Sequence, residues 1–481
     1  MLDNKKEILK KIYNKTALLE EGLILTTRND GFGSVMIAMV NAIYISQITN
    51  MHFGLVWNSR DGYLDAEELL FEQDFLDRYS YTNLLSSSLD DMHLYSFSYL
   101  KKNSNQLYYF NTCNKLTKKD ISDLDENEYG NSFSKIYYDI PFNIKYKKIF
   151  GDIDEVCKTI GDFTAFHLRA NDVVYSERLR KLYTLSNVKI SRFSPIEIVF
   201  YQICRTLCYS NVVLFTDDDE ASKCLKKIIN YYNFKFNFYV VTDFHKSTYG
   251  RMEKVFFDVN LMAKSKLLFG PDRSAYSELA SLIGKIQLKS FLEDMTFEER
   301  IDRIIKYGEL IKVNDLWKAN SYLCLYLYAK KKGMHERILF KYLHLALKYD
   351  YNNGYKVLIL GKLIKLRRYF FAEKLANSML RENYKEFFNI LFVKEFGSFL
   401  HMEDYIDMQN IFLDGLCQYK WSFPYLNIIF INIVYYTSTK EELLKILRKI
   451  LYPDCNIYYQ ILMEIILTID ANTLNQNNVN F

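Results

Sequence analysis

Proline is scarce in this chain of 481 residues, which contains only 5. With 49% hydrophobic and 16% aromatic residues beside it, that scarcity excludes long disordered linkers and indicates a folded, well-packed protein. An excess of one charge is missing too. Lys and Arg number 62 against 58 Asp and Glu, a net of +4, which offers no general argument for a nucleic-acid partner. Cysteine is sparse, at 8 residues without a Cys-x-x-Cys pair, so neither a disulfide framework nor a redox motif is expected. Cys204 and Cys208 lie four apart on a predicted helix but have no His or Cys close by in sequence, and they read as core; no metal site is expected. No window reaches the roughly 18 uninterrupted apolar residues of a membrane span. The longest candidate, Phe423 to Tyr436, is broken by Asn427 and Asn432. The first residues, Met1-Leu-Asp-Asn-Lys-Lys, lack the apolar stretch of a signal peptide. These absences together predict a cytoplasmic protein without a transmembrane segment; peripheral contact with the inner face of the membrane is one of the roles open to its helical tail.

What is present is an alternation of short apolar strands and helices. A chain of this length is expected to form two to four domains. After a charged leading helix, Leu23 to Arg28 reads as a strand that enters Asn29-Asp30-Gly31-Phe32-Gly33. A helix from about 34 to 49 and a strand at Phe53 to Trp57 follow. That order opens a Rossmann-like half, whereas residues 60 to 150 read as helices mixed with long loops. A second half shows strands at Phe163–Arg169, Val212–Phe215, Phe238–Val241 and Leu267–Gly270. Helices are expected between them, near 195–209, 219–232, 251–265 and 274–284, as in a parallel sheet covered on both faces. From Phe291 onward the period is helical throughout. Ile338–Tyr349, a turn at Asn352-Asn353-Gly354, Val357–Leu366 and Phe371–Leu380 form helix pairs with Ala346, Ala372 and Ala376 as the small residues at crossings, in the manner of a tetratricopeptide array. The expected division is 1–155, 156–290 and 291–481.

Four segments carry candidate chemistry, and each also has a plain structural reading. In Phe163 to Asp172 the period-two pattern puts His167 and Arg169 on one face at the carboxyl end of a strand, where open α/β sheets bind ligands. A bidentate cation beside an imidazole suits a phosphate; the alternative is an Arg169–Asp172 ion pair with His167 as a core residue. The strand Asn211 to Thr216 ends in Asp217, Asp218 and Asp219, where either Thr216 or Asp217 caps the next helix or Asp217 or Asp218 supports a ligand site. Asp258 opens a segment that leads through Leu267–Gly270 to Pro271-Asp272-Arg273-Ser274. A helix start there binds phosphate, and a carboxylate such as Asp258 can accept both N–H groups of a guanine edge; simple capping by Ser274 and a surface Asp258 is the alternative. The Gly31-Phe32-Gly33 loop lacks the third glycine of a dinucleotide fingerprint, since Met36 stands there. It still lets backbone approach a ligand closely, or serves as a tight turn.

Taken in order, these segments resemble the fucosyltransferase superfamily, which includes α1,2-, α1,6- and protein O-fucosyltransferases. The resemblance rests on Gly31-Phe-Gly33, then His167-x-Arg169-x-x-Asp172, then Asp217 and Asp218 after an apolar strand, then Asp258, Leu261, Met262 and Ser274-Ala275-Tyr276-Ser277. It covers about residues 21 to 290. It implies a two-Rossmann GT-B fold and an inverting, metal-independent glycosyltransferase without a cofactor, using a GDP-sugar, typically GDP-fucose; the expected acceptor is a growing glycan in surface polysaccharide assembly, with a protein side chain as the second choice. It implies that Arg169 binds the β-phosphate and neutralises the leaving group, that His167 contacts the nucleotide, that Asp258 reads guanine, and that Arg273 to Ser277 hold phosphate at the helix start. Gly31, Phe32, Gly33, Asp172, Asp217 and Asp218 complete the donor set. Departures at Ser34-Val35, Ala170 and Ala275-Tyr276 leave room for another GDP-sugar such as GDP-heptose, or for an inactive scaffold acting through the helices. Asp30, Asp61 and Glu177 are the loop carboxylates that can serve as base, with Asp30 foremost. Residues 291–481 are expected to bind a protein partner or a second copy. The basic run Lys362–Arg368 reads as a solvated or partner-binding helix face.

Overall fold

The computed structural model describes residues 22–28, 30–58, 64–82, 96–103, 106–177, 180, 192–205, 211–232, 234–392, 410–411 and 423–437. Asp61, Cys208, the predicted leading helix and the polar tail lie outside the described residues. The chain forms two compact units, Met1–Arg169 with Ile198–Glu293, and Ala170–Glu197 with Asp294–Phe481.

The first unit contains two parallel sheets. Strand β1 (Leu23–Arg28) runs between β2 (His52–Trp57) and β3 (Leu107–Tyr109). Its residues from Leu23 to Thr27 are buried, because helices or loops cover both faces of a parallel sheet. The second sheet has β4 (Phe163–Leu168), β5 (Asn211–Thr216), β6 (Phe238–Val240), β7 (Leu267–Gly270) and β8 (Leu288–Ser290) in the order β6-β5-β4-β7-β8. The chain thus starts in the middle, winds outward to β6, and returns to the other side of β4. The two crossovers leave β4 and β7 in opposite directions, which opens a crevice at their carboxyl ends. Strands β3 and β8, each of three residues, are not among the expected strands, and β3 interrupts the region expected to hold only helices and loops.

The helices of this unit are α1 (Phe32–Thr49), α2 (Glu126–Asp139), α3 (Ile144–Ile160), α4 (Ile196–Arg205, whose first two residues belong to the second unit), α5 (Asp219–Tyr232), α6 (Arg251–Met262) and α7 (Ala275–Gly284), with shorter ones at Glu67–Leu70, Gln73–Tyr79 and Phe97–Lys102. Among the described residues α1 alone is long and apolar enough to cross a membrane. It is instead almost wholly buried against β1, α2 and α7, and it ends at Asn50, whose φ of 55° makes a left-handed cap. One apolar cluster joins the two sheets. Phe142, Tyr146 and Phe150 surround Phe256 with ring centroids 5.0–5.3 Å apart. The Ser134 hydroxyl of α2 donates to Ile283 O at 2.6 Å, and Lys145 pairs with Glu253 at 2.9 Å.

The second unit is helical: α8 (Phe297–Gly308), α9 (Asp315–Lys331), α10 (Glu336–Tyr349), α11 (Asn353–Lys365), α12 (Tyr369–Phe392) and α13 (Pro424–Thr437). From α8 to α12 each helix packs on the next. Ala346, Ala372 and Ala376 are fully buried, as small residues at close crossings must be. Asn352, read as part of a turn, caps α11 by accepting from Gly354 N at 2.8 Å. The segment between β4 and α4 belongs to this unit. Its Tyr175 hydroxyl accepts from Asn314 Nδ2 at 2.8 Å, Arg180 lies 3.3 Å from Asp350, and Phe193 packs on Trp317 at 5.3 Å. The Lys362–Arg368 run is not uniformly a solvated face. Lys362 is buried and paired with Glu336 at 3.1 Å, because helical periodicity turns that position toward α10.

Candidate active site

The site is built at the carboxyl ends of β4 and β7, on either side of the crevice. His167 is the second-last residue of β4 and is buried. Its Nδ1 lies 2.5 Å from the Ser277 hydroxyl on the first turn of α7. That bond fixes the imidazole's orientation, since a buried ring nitrogen without a partner is costly. Gly270 at the end of β7 makes the approach possible. A side-chain carbon there would fall 2.7 Å from Ser277 Oγ. Strand β4 stops one residue earlier than its alternation predicts, so Arg169 stands just beyond the ladder. It is partly exposed, and its Nη1 donates to Arg273 O at 3.3 Å. Asp172 lies in a single π-turn, Asn171–Tyr175, of the second unit.

The glycine loop meets this crevice through backbone. Gly33, on the first turn of α1, packs so closely on the start of α7 that an added side-chain carbon would fall 2.6 Å from Ala275 O and 2.7 Å from Tyr276 N. Gly31 and Ser274 hold the N-cap positions of α1 and α7, and neither helix is closed by a side-chain cap bond. Two helix N-termini, each with unsatisfied N–H groups and a partial positive charge, therefore lie side by side. Like charges in contact are balanced most directly by an anion, which is the known role of such helix starts. Phe32 is buried edge-on to Phe256 at 6.2 Å, which makes it a core residue in this structure.

A polar chain extends from His167 along α7. The Tyr276 ring lies 5.2 Å from the imidazole, and its hydroxyl donates to Val255 O at 3.0 Å. Burial, and then the carboxylates of Asp258 and Asp217, push the Tyr276 hydroxyl far above the ordinary phenol range. Asp258 on α6 is part-buried, with Oδ1 2.6 Å from His245 Nε2. Burial raises its pKa, and the His245 bond opposes that rise. His245 is absent from the sequence-based set. It follows β6 at that strand's carboxyl end, so the rule that placed His167 would have found it.

The remaining predicted residues have distinct places. Asp218 is buried and caps α5, accepting from Glu220 N and Ala221 N at 2.9 Å. The cap is thus neither Thr216 nor Asp217, because the strand's last turn directs the third of these residues at the helix start. Asp217 is exposed at the end of β5. Asp30 sits in a two-point ion pair with Arg28, 3.0 Å to Nε and 2.6 Å to Nη2. Arg28 also donates to Asn111 O, and Asn111 Oδ1 accepts from Thr27 N at 2.7 Å. Glu177 is exposed. Glu278, on the first turn of α7, accepts from Lys115 N at 2.6 Å, and burial raises its pKa against that bond. Among the described residues no group of His, Cys, Asp and Glu has a metal-binding arrangement.

No family profile and no curated protein sequence matches the chain. Solved structures do. Fucosyltransferase NodZ from Bradyrhizobium is 14% identical with a TM-score of 0.33, over 55% of this chain and 93% of that one. The apo-form of POFUT1 is 9% identical with a TM-score of 0.33, over 56% and 97%. A mutant of Arabidopsis thaliana FUT1 in complex with GDP is 10% identical with a TM-score of 0.38, over 60% and 74%.

Proposed function

We propose that the chain is an inverting, metal-independent glycosyltransferase that takes a GDP-sugar, GDP-fucose first among them, and transfers the sugar to a glycan hydroxyl. The observation that carries this reading is the pairing of two helix starts at Gly33 and Ala275 beside Arg169, at the switch point of a doubly wound sheet. A diphosphate matches that concentration of backbone donors and guanidinium. Asp258, at the far end of the Tyr276 chain, is the carboxylate that would accept guanine's N–H pair, with His245 holding its other edge.

In the reaction, the acceptor oxygen attacks the anomeric carbon while the bond to the β-phosphate oxygen breaks. Arg169 stabilises the charge that collects on the departing diphosphate. His167, held by Ser277, lines the nucleotide. The acceptor proton goes to a carboxylate or to the leaving diphosphate. Asp30 fills the first role only if its ion pair with Arg28 opens, because both of its oxygens are engaged by the guanidinium.

Thermal-shift titration with GDP, UDP and CMP, followed by mass spectrometry of products from a panel of GDP-sugars and glycans, tests the reading. Selective stabilisation by GDP is expected. Equal or absent responses to all three nucleotides would overturn it.

A further inference from the structure

The outer edge of the five-stranded sheet carries a surface of another kind. Helix α5 delivers the chain to edge strand β6 through Tyr231, Tyr232, Phe234 and Phe236. Tyr231 is 82% exposed and Tyr232 49%. The four rings form a ladder, edge-on at 5.4 Å between the tyrosines, then stacked at 5.9 Å for Tyr232–Phe234 and 5.6 Å for Phe234–Phe236. Lys223 and Lys227 precede Tyr231 at four-residue steps and so share its face of α5. Both are exposed, as is Lys235 between the phenylalanines. The opposite face of the helix, with Leu225, Ile228 and Ile229, is core.

Topology sets where this surface lies. In a parallel sheet every helix-to-strand turn falls at the amino ends of the strands, so the ladder is at the end of the sheet opposite His167 and Arg169. The turns before β7 and β8 add exposed Lys264, Lys266 and Lys285 at that same end. The first two face Asp154 and Asp162 only at 3.6 and 3.5 Å.

We infer that this end of the sheet seats the protein on an anionic phospholipid surface. Tyrosines are at home at headgroup depth, with the ring body in the apolar boundary and the hydroxyl in water, and lysines beside them pair with lipid phosphates. Single-stranded nucleic acid fits less well, since base stacking needs a row of open ring faces, whereas Tyr232, Phe234 and Phe236 stack on one another and leave Tyr231 alone with open faces. A second copy of the chain would bring lysine against lysine. Seated this way, the protein keeps the carboxyl ends of its strands turned from the bilayer and open to substrate.

Co-sedimentation of the full chain with phosphatidylcholine vesicles, with and without phosphatidylglycerol, is the test. Binding is expected only with phosphatidylglycerol and is expected to weaken with salt. Each of Lys223→Gln, Lys227→Gln and Lys235→Gln should lower partitioning about fivefold, and Tyr231→Ser with Tyr232→Ser should remove what survives high salt. All these sites are at the surface, and unchanged melting curves would show that the variants fold. Three results overturn the inference: no dependence on phosphatidylglycerol, binding indifferent to both sets of substitutions, or a dimer or oligonucleotide complex that the tyrosine changes abolish.

Discussion

Gly33 touches Ala275 backbone to backbone: a side-chain carbon on Gly33 would lie 2.6 Å from the Ala275 carbonyl oxygen. The neighbouring glycine is different. Nothing lies within 4 Å of the corresponding position on Gly31, whose φ of −68° suits any residue. Gly33→Ala should therefore cost about 1–3 kcal/mol through overpacking and should blunt stabilisation by GDP, while Gly31→Ala leaves the melting temperature unchanged. Equal melting curves for the two variants would refute the contact.

Arg169→Ala should lower turnover of GDP-fucose by about 10²–10³-fold with the fold intact, as loss of a donor to a developing negative charge does. Arg169→Lys should recover only part, because a point charge cannot bridge two phosphate oxygens. Initial rates of GDP release, read beside circular dichroism, separate this from unfolding. Unchanged rates in Arg169→Ala would sink the assignment.

Ser277→Ala leaves the buried His167 Nδ1 without its 2.5 Å partner, at a cost of about 1–3 kcal/mol. Denaturant melts of Ser277→Ala against the parent should differ by that amount.

His245→Ala removes the hydrogen bond that opposes the raised pKa of Asp258. The Asp258 carboxyl then titrates higher still. If its ionised form receives the nucleotide, GDP affinity should be lost at a higher pH in the variant than in the parent as the solution is acidified. Calorimetric titrations across a pH series measure the displacement, and coincident profiles would argue against a positioning role for His245.

In the helical unit, burial pushes the Glu197 carboxyl up from 4.5 to about 7, partly offset by the Ser321 hydroxyl, which donates at 2.9 Å. The protonated form is the one the fold favours. Its stabilising contribution is complete below pH 4.5 and disappears as pH rises through 7, a loss on the order of 3 kcal/mol. Glu197→Gln should therefore melt higher than the parent at pH 8 and nearly together with it at pH 4.5. A constant difference across that window would be inconsistent with a buried, neutral Glu197.

Much of the fold was legible in local pattern. The alternation in Phe163–Leu168 and the apolar runs of β1, β5 and β7 mark strands because side-chain period and burial are set within a few residues. The span of α5 was readable to the residue, and α1 and α7 to within two. Strands β3 and β8 escaped; at three residues each, like β6, they carry no period of their own. Asp218, rather than Thr216 or Asp217, became the cap because the choice depends on the dihedral path of one turn.

By itself the sequence determined the order of the strands other than β3 and β8 and of the longer helices, and the glycine and serine positions at two helix starts, since these follow from propensity and periodicity along the chain. Tertiary structure alone decided which ends meet. Gly33 with Ala275 comes together only when the two sheets pack through one core, His167 with Ser277 and Tyr276 with Asp258 only when α6 and α7 fold onto the second sheet, and Asp30 faces Arg28 only in the loop's folded path. The assignment of Ala170–Glu197 to the helices rather than to the sheets rests on Arg180, Tyr175 and Phe193 finding partners more than a hundred residues away. No local pattern encodes such pairs, because their energy is realised only when distant segments are desolvated against each other.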